Sequence, residues 1–137
     1  MHLLSQTVIT ILQMKSNSNK LILVVDDSTD NQDLLKMLLV AKGYRVYCVS
    51  NGKEALSLLS ELSYLPDLIL LDAQMPIMDG HEFRLEQCKN DRIKDIPVVV
   101  MTGENDADLD EKMIHPQKIL LKPLDIKSLV DSVSTFS

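Results

Sequence analysis

Downstream of Lys20 the chain alternates strand-like and helix-like patterns five times, and this alternation restricts the possible folds more than any other feature. Each strand-like pattern is a short aliphatic run, and each helix-like pattern repeats apolar residues every three or four positions. Aliphatic runs of this kind are typical of parallel strands that are buried on both faces. Strands that alternate with helices across short connections therefore predict a doubly wound α/β sandwich built on a parallel sheet.

The strand-like runs have clear limits in the sequence. Five strands are expected, at Leu21–Val25, Arg45–Val49, Asp67–Leu71, Pro97–Met101 and Lys118–Leu121. The repeat is not interrupted by low-complexity sequence or by a second domain. The predicted sheet therefore takes in nearly all of the chain after Lys20.

The helices between these strands are expected to begin at residues that cap helix N-termini. Thr29 opens a Thr-Asp-Asn-Gln capping box, and Asn51, Asp79 and Asp125 precede the helical patterns of later segments. Gly43 is the expected stop of the first helix, because glycine accepts the left-handed conformation found there. A short acidic helix is also expected, from about residue 106 to residue 113.

Reactive polar residues follow four of the five predicted strands. They are Asp26 and Asp27, Asp72, Thr102 and Lys122. Ligands of open α/β sheets bind beyond the carboxyl ends of the strands, so these residues are expected to meet at one rim. Like charges about 4 Å apart cost roughly 4 kcal/mol each at an effective dielectric near 20, so three carboxylates at this rim require a cation. Carboxylate oxygens suit Mg²⁺. With a lysine and a hydroxyl nearby, the group suits a phosphoryl moiety carried on the central carboxylate.

From Lys20 to Ser134 the chain resembles the response-regulator receiver domains (CheY-like) of two-component signalling systems. Four motifs carry the resemblance: the acidic pair after the first strand, Asp-x-x-Met-Pro-x-Met-Asp-Gly beginning at Asp72, Thr102 after the fourth strand, and Lys122-Pro123 after the fifth. The resemblance implies a five-stranded parallel sheet with strand order 2-1-3-4-5, the (βα)5 flavodoxin-like fold. The sequence departs from the family pattern at Ile119, where the family often has an aromatic residue.

The resemblance also implies a magnesium site. Asp27 is expected to bind Mg²⁺ directly and Asp26 mainly through water. The backbone carbonyl of Gln74 and the carboxylate of Asp72 complete the expected set of protein ligands.

The resemblance further implies how the phosphoryl group is handled. Asp72 is the expected phosphoacceptor, Lys122 is expected to bridge to a phosphoryl oxygen, and Thr102 is expected to move towards the phosphoryl group once it arrives. A cis peptide bond is expected before Pro123, although ordinary X-Pro statistics favour trans. The function implied is that of a phosphoacceptor with self-dephosphorylation, not of an enzyme that turns over an external substrate.

A histidine kinase or a histidine phosphotransfer protein is the implied phosphodonor, and a further protein of unknown identity is the implied output partner. A homodimer is a further possibility. The net charge of -6 argues against direct binding to nucleic acid, and no membrane segment is expected. Cys48 and Cys88 lack metal-ligand spacing, so reduced thiols and a cytoplasmic location are expected.

Two other functions are alternatives to the phosphoacceptor. A Mg²⁺-dependent phosphohydrolase of similar fold typically has a second aspartate two residues after its nucleophile, but residue 74 is glutamine. An interaction module without phosphoryl chemistry is favoured by loss of the acidic pair, Asp72 or Lys122, and none of these is lost. The domain could be free-standing or a part of a larger regulator or hybrid kinase.

Residues 1–19 form a predicted N-terminal extension, and residues 20–137 form the predicted receiver domain. The extension carries Leu3, Leu4, Val8, Ile9, Ile11 and Leu12, which polar residues interrupt. This apolar stretch is too short for a transmembrane helix. Two interpretations stay open: the extension is an accessory of little consequence, or it docks on the domain or on a second copy.

Overall fold

The computed structural model describes residues 20–103 and 114–137, and five strands in this part of the chain form one parallel sheet. The strands are β1 (Leu21–Val25), β2 (Arg45–Val49), β3 (Leu68–Asp72), β4 (Val98–Thr102) and β5 (Lys118–Leu121). Their order in the sheet is β2-β1-β3-β4-β5. The predicted fold class and strand order are therefore confirmed.

The inner strands β1, β3 and β4 are buried along their whole length, whereas the edge strands β2 and β5 are partly exposed. Val25 of β1 is in register with Leu71 of β3, and Asp72 is in register with Met101 of β4. All strands run in the same direction, so the residues that follow them emerge at one edge of the sheet. This register decides which polar side chains can meet.

Four helices are described: α1 (Thr29–Ala41), α2 (Gly52–Glu61), α3 (Gly80–Lys89) and α4 (Ile126–Phe136). Helices α2 and α3 cover one face of the sheet, where Ala55, Leu59 and Phe83 pack on alternate strand residues such as Leu23 and Leu71. On the other face, α1 and α4 bury apolar residues against the remaining strand positions: Leu35, Leu39, Leu129 and Val133. The helix predicted near residues 106–113 lies outside the described residues.

Each described helix begins at a side chain that accepts a hydrogen bond from the backbone N–H three residues later. Asn51, Asp79 and Asp125 cap α2, α3 and α4, as predicted. The predicted cap of α1 at Thr29 is wrong, because Ser28 holds that position and its Oγ accepts from the N–H of Asn31. Gly43, with a φ of 95°, follows the end of α1 as expected.

The C-terminal end of α2 is tied to the turn after α3 by Arg92. Its guanidinium donates to the carbonyl of Leu59 at 2.5 Å and also to the carbonyl of Leu62. The last carbonyl groups of a helix have no partner within the helix, so this arginine satisfies two of them. It stabilises the packing of α2 against the segment that leads into β4.

We expect Arg92→Ala to lower the free energy of unfolding by about 1–2 kcal/mol, since hydrogen bonds from a charged donor are lost. Lys94→Ala is the matched control. It breaks an ion pair with Asp91 at 3.3 Å, but that partner is 96% exposed, so a loss below about 0.5 kcal/mol is expected. Urea denaturation followed by circular dichroism measures both values. Equal losses for the two variants would show that Arg92 is an ordinary surface residue.

Candidate functional site

Three carboxylates meet at the carboxyl edge of the sheet. Asp26 and Asp27 follow β1, and Asp72 ends the neighbouring strand β3. One carboxylate oxygen from each lies within 4.8 Å of one from each of the others. Asp26 is fully buried and Asp72 is 4% exposed, whereas Asp27 is exposed to solvent. Adjacent parallel strands thus place these side chains together, although the sequence separates them widely.

Lys122 brings a positive charge to this cluster from the end of β5. Its Nζ lies 3.3 Å from Oδ1 of Asp72 and 3.8 Å from Oδ2 of Asp26. The lysine backbone N–H donates to the carbonyl of Thr102 at 2.7 Å, which ties the two strand ends together. The peptide bond between Lys122 and Pro123 is cis, as predicted.

The structure places the other two predicted site residues beside the cluster. Thr102 is fully buried at the end of β4, next to the strand that carries Asp72. Gln74 has an exposed side chain, and its backbone N–H donates to Oδ1 of Asp72 at 3.2 Å. All the residues predicted for the site therefore lie on one rim, and Gln74 contacts the central carboxylate through its backbone.

Burial raises the pKa of Asp72 to about 6. The hydrogen bond from the N–H of Gln74 lowers this pKa, the charge of Asp26 raises it further, and Lys122 lowers it. Lys122 therefore lowers the pKa of Asp72 by less than burial raises it. Asp72 is mostly ionised at pH 7, and its ionised form is destabilised in the protein without a bound cation.

Sequence reasoning missed the residues that hold Asp26 in place. Asn31 donates to Asp26 Oδ2 at 3.4 Å, and the N–H of Ser28 donates to Oδ1 at 2.9 Å. Gln32 donates through Nε2 to the carbonyl of Asp26 at 2.6 Å and to that of Val49 at 3.2 Å. This use of the Gln32 side chain explains why the predicted capping box does not form. The signal was present in the sequence: polar residues in the first helical turn after an acidic pair.

The loop after Asp72 is held at both of its sides. The N–H of Gly80 donates to the carbonyl of Ala73, and the N–H of Gly52 donates to the carbonyl of Met78 at 3.0 Å. A Cβ at Gly52 would lie 2.7 Å from Cγ of Met78, so a larger residue there would force Met78 to shift. The start of α2 thus fixes the loop that connects β3 to α3.

The carboxylate cluster fits a hard divalent cation. Its donors are oxygens, it carries three acidic groups against one lysine, and one of the carboxylates is open to solvent. Mg²⁺ typically takes one or two carboxylates and keeps several waters, which an exposed Asp27 allows. Among residues 20–103 and 114–137, these three aspartates are the group of carboxylates, histidines or cysteines close enough to hold a metal ion.

We expect Asp72→Asn to raise the free energy of unfolding in the presence of a chelator. The folded-state pKa of about 6 lies above the ordinary value, so the stabilisation from protonation is complete below about pH 4 and is lost as pH rises through 6. At pH 7 the asparagine variant is therefore expected to be about 1–3 kcal/mol more stable than the wild type, since each pKa unit corresponds to about 1.4 kcal/mol.

The difference between the two proteins is expected to shrink as the pH falls from 7 to 4.5. Denaturation midpoints across this range measure it, and the comparison cancels the titration of carboxylates that are distant from Asp72. If the variant gained the same free energy of unfolding at pH 7 and at pH 4.5, the stabilisation would come from amide packing and not from loss of a buried charge.

An open parallel sheet with an acidic, lysine-containing site at its carboxyl edge defines a flavodoxin-like α/β domain with a strand-end site. The family model for the response regulator receiver domain matches residues 22–134. The chain therefore belongs to the response regulator receiver domain family, as the motifs after β1, β3, β4 and β5 predicted.

Two curated relatives contain a similar domain. The sensor histidine kinase CheAY of Helicobacter pylori is 33% identical over 88 residues, which is 64% of this chain and 11% of the relative. A probable cyclic di-GMP phosphodiesterase of Vibrio cholerae is 35% identical over 127 residues, which is 90% of this chain and 28% of the relative. The chain thus spans about a tenth and about a quarter of these relatives.

Solved structures of receiver domains are also similar to this chain. The receiver domain of a signal transduction histidine kinase from Syntrophus aciditrophicus has a TM-score of 0.77 at 30% identity, covering 86% of this chain and 89% of that one. The receiver domain of a sensor histidine kinase from Pseudomonas aeruginosa has a TM-score of 0.76 at 26% identity, covering 86% and 97%. That second structure holds a magnesium ion in its active-site cleft.

Two other expectations concern the surroundings of the domain. Cys48 is half-buried and Cys88 is exposed, and neither forms a disulfide in the structure. In residues 20–103 and 114–137, no helix has the length and apolar character needed to cross a membrane.

Proposed function

We propose that residues 20–137 form a receiver domain that accepts a phosphoryl group on Asp72 and signals to a partner by a change of conformation. The observation that carries this proposal is the position of the Asp72 carboxylate, which lies within 4.8 Å of both acidic partners and 3.3 Å from the amine of Lys122. This carboxylate combines low exposure with an ionised state at pH 7. It is the expected nucleophile of the site.

The other residues of the site prepare Asp72 for attack. An oxygen of Asp72 forms the bond to phosphorus while the bond from phosphorus to the donor nitrogen breaks, and a proton returns to the leaving imidazole. Lys122 supplies a fixed positive charge for the transferred oxygens, and Thr102 supplies a hydroxyl at the end of β4. The N–H of Gln74 holds Oδ1 of Asp72 and so orients the carboxylate.

The magnesium site of this proposal is formed by Asp26, Asp27, Asp72 and the backbone carbonyl of Gln74. When bound, the cation supplies charge neutralisation for the phosphoryl oxygens. Ser28 and Asn31 hold the carboxylate of Asp26, and Gln32 holds its backbone carbonyl. Asp27, which is exposed, is left to face the incoming ligand.

The proposed phosphodonor is a phosphohistidine of a histidine kinase or of a phosphotransfer protein, in the cytoplasm. Support comes from the relatives, because the matched region of one belongs to a sensor histidine kinase. Receiver chemistry of this kind ends in self-dephosphorylation, so we do not propose turnover of an external substrate. The output partner and any homodimer are left to experiment.

Intact-mass analysis of the purified chain tests this function. Incubation with acetyl phosphate and Mg²⁺ is expected to add one phosphoryl group, and the same incubation with excess chelator is expected to add none. Borohydride trapping followed by peptide mapping is expected to locate the modification at Asp72. Labelling that is independent of Mg²⁺, or that maps to another residue, would contradict the proposal.

A further inference from the structure

Helix α1 exposes an apolar stripe that no described part of the chain covers. Leu34 is 47% exposed, Met37 62% and Val40 51%, and with Ala41 they follow one side of the helix. We call these four residues the α1 face. In the described residues every other element or loop carries at most one large exposed apolar side chain. Single exposed apolar residues are ordinary on a protein surface, whereas a contiguous stripe indicates a binding surface.

The α1 face is an open and shallow surface. Met37, Val40 and Ala41 line a shallow depression of about 470 Å³ together with Asp33 and Lys36, all of them on α1 itself. The N-terminal end of the face reaches the rim of the carboxylate site, because Leu34 lines a second concavity with Lys122 and Pro123. An occupant of this face would therefore extend from the C-terminal end of α1 to the site.

The described part of the chain begins near the C-terminal end of this face. Lys20, the first described residue, lines a concavity with Lys42, which caps the C-terminal end of α1. The face from Leu34 to Ala41 is about 10 Å long at 1.5 Å per helical residue. The five polar residues before Lys20 can span about 16 Å at 3.3 Å per extended residue, so the residues before them can reach the whole face.

The composition of these residues matches the face. Leu4, Val8, Ile11 and Leu12 recur at spacings of four, seven and eight residues, the pattern that gathers apolar side chains on one side of a helix. All twenty acidic residues of the chain lie beyond residue 19, whereas the first nineteen residues contain Lys15 and no acid. Asp30 and Asp33 are exposed on α1 itself. Apolar complementarity thus favours this occupant, and residues 2–13 bring no acidic side chain towards the acidic residues of α1.

We propose that the segment of residues 2–13 docks its apolar stripe on the α1 face of its own domain. The tether at Lys20 favours this occupant over a second copy, because a short linker gives an effective concentration on the order of millimolar. The bound segment shields Met37 and Val40 from water.

The test uses the full chain with methyl-labelled methionine, observed by NMR in the presence of a soluble paramagnetic agent. The variant Val8→Asp with Leu12→Asp places charges on the apolar stripe of the segment. The control Gln6→Asp with Thr10→Asp adds the same charge on its opposite side. The Met37 methyl signal, assigned with Met37→Leu, is expected to broaden several-fold more in the stripe variant than in the wild type or the control.

Equal broadening of the Met37 signal in all three proteins would overturn the proposal, because the apolar stripe of residues 2–13 would then not be what covers the α1 face. Protection that disappears on dilution, with a dimer in analytical ultracentrifugation, would also overturn it and would assign the face to a second copy. Protection that is independent of concentration and is lost only in the stripe variant supports the docked segment. None of these results depends on phosphorylation of Asp72.

Discussion

Replacing Asp72 with asparagine is expected to abolish phosphorylation by acetyl phosphate, a loss of at least about 10³-fold in rate for removal of a nucleophile. The amide keeps the shape of the side chain and can still accept the hydrogen bond from the N–H of Gln74, now 3.2 Å from Oδ1. It has no ionised oxygen to attack phosphorus. Intact-mass measurement over time, with Mg²⁺ present, gives the rate.

Asp79→Asn is the matched control for this variant. Asp79 lies in the same loop and caps α3 by accepting from the N–H of Glu82 at 2.9 Å, a role that asparagine also fills. We expect the control to be phosphorylated at close to the wild-type rate. Labelling of Asp72→Asn at the wild-type rate would show that Asp72 is not the nucleophile, whether or not the substitution changes the stability of the fold.

Replacing Asp27 with alanine is expected to weaken Mg²⁺ binding by at least about tenfold and to abolish phosphorylation under the same conditions. Asp27 is better suited than Asp26 to this experiment, because the side chain of Asp27 is exposed. Asp26 is fully buried and accepts from Ser28 and Asn31, so its replacement would also disturb the fold. Metal titration monitored by NMR, followed by mass analysis, measures both effects.

Asp30→Ala controls for the loss of one negative charge near the site, since Asp30 is exposed in the first turn of α1. This variant is expected to keep both Mg²⁺ binding and phosphorylation, and to lose at most about 1 kcal/mol of stability at the helix N-terminus. If Asp27→Ala bound Mg²⁺ as the wild type does, the strand-end carboxylates would not be the metal site.

Much of the fold could be predicted from local sequence patterns, because these patterns depend little on distant residues. Continuous aliphatic runs such as Leu21–Val25 belong to strands buried on both faces, and the helices between them supply those faces. The caps at Asn51, Asp79 and Asp125 were predictable because each side chain bonds to a backbone N–H only three residues away. The cap of α1 was not predictable in this way, because the side chain of Gln32 donates instead to the carbonyl groups of Asp26 and Val49.

The sequence by itself also determined which residues follow the strands, and therefore that Asp26, Asp27, Asp72, Thr102 and Lys122 share one edge of the sheet. Only the tertiary structure decided how they act on one another. The distance of 3.3 Å from Lys122 to Asp72 depends on the order of the strands, and the raised pKa of Asp72 depends on how deeply the carboxylate is buried. These are properties of neighbours that are distant in sequence, so no local pattern encodes them.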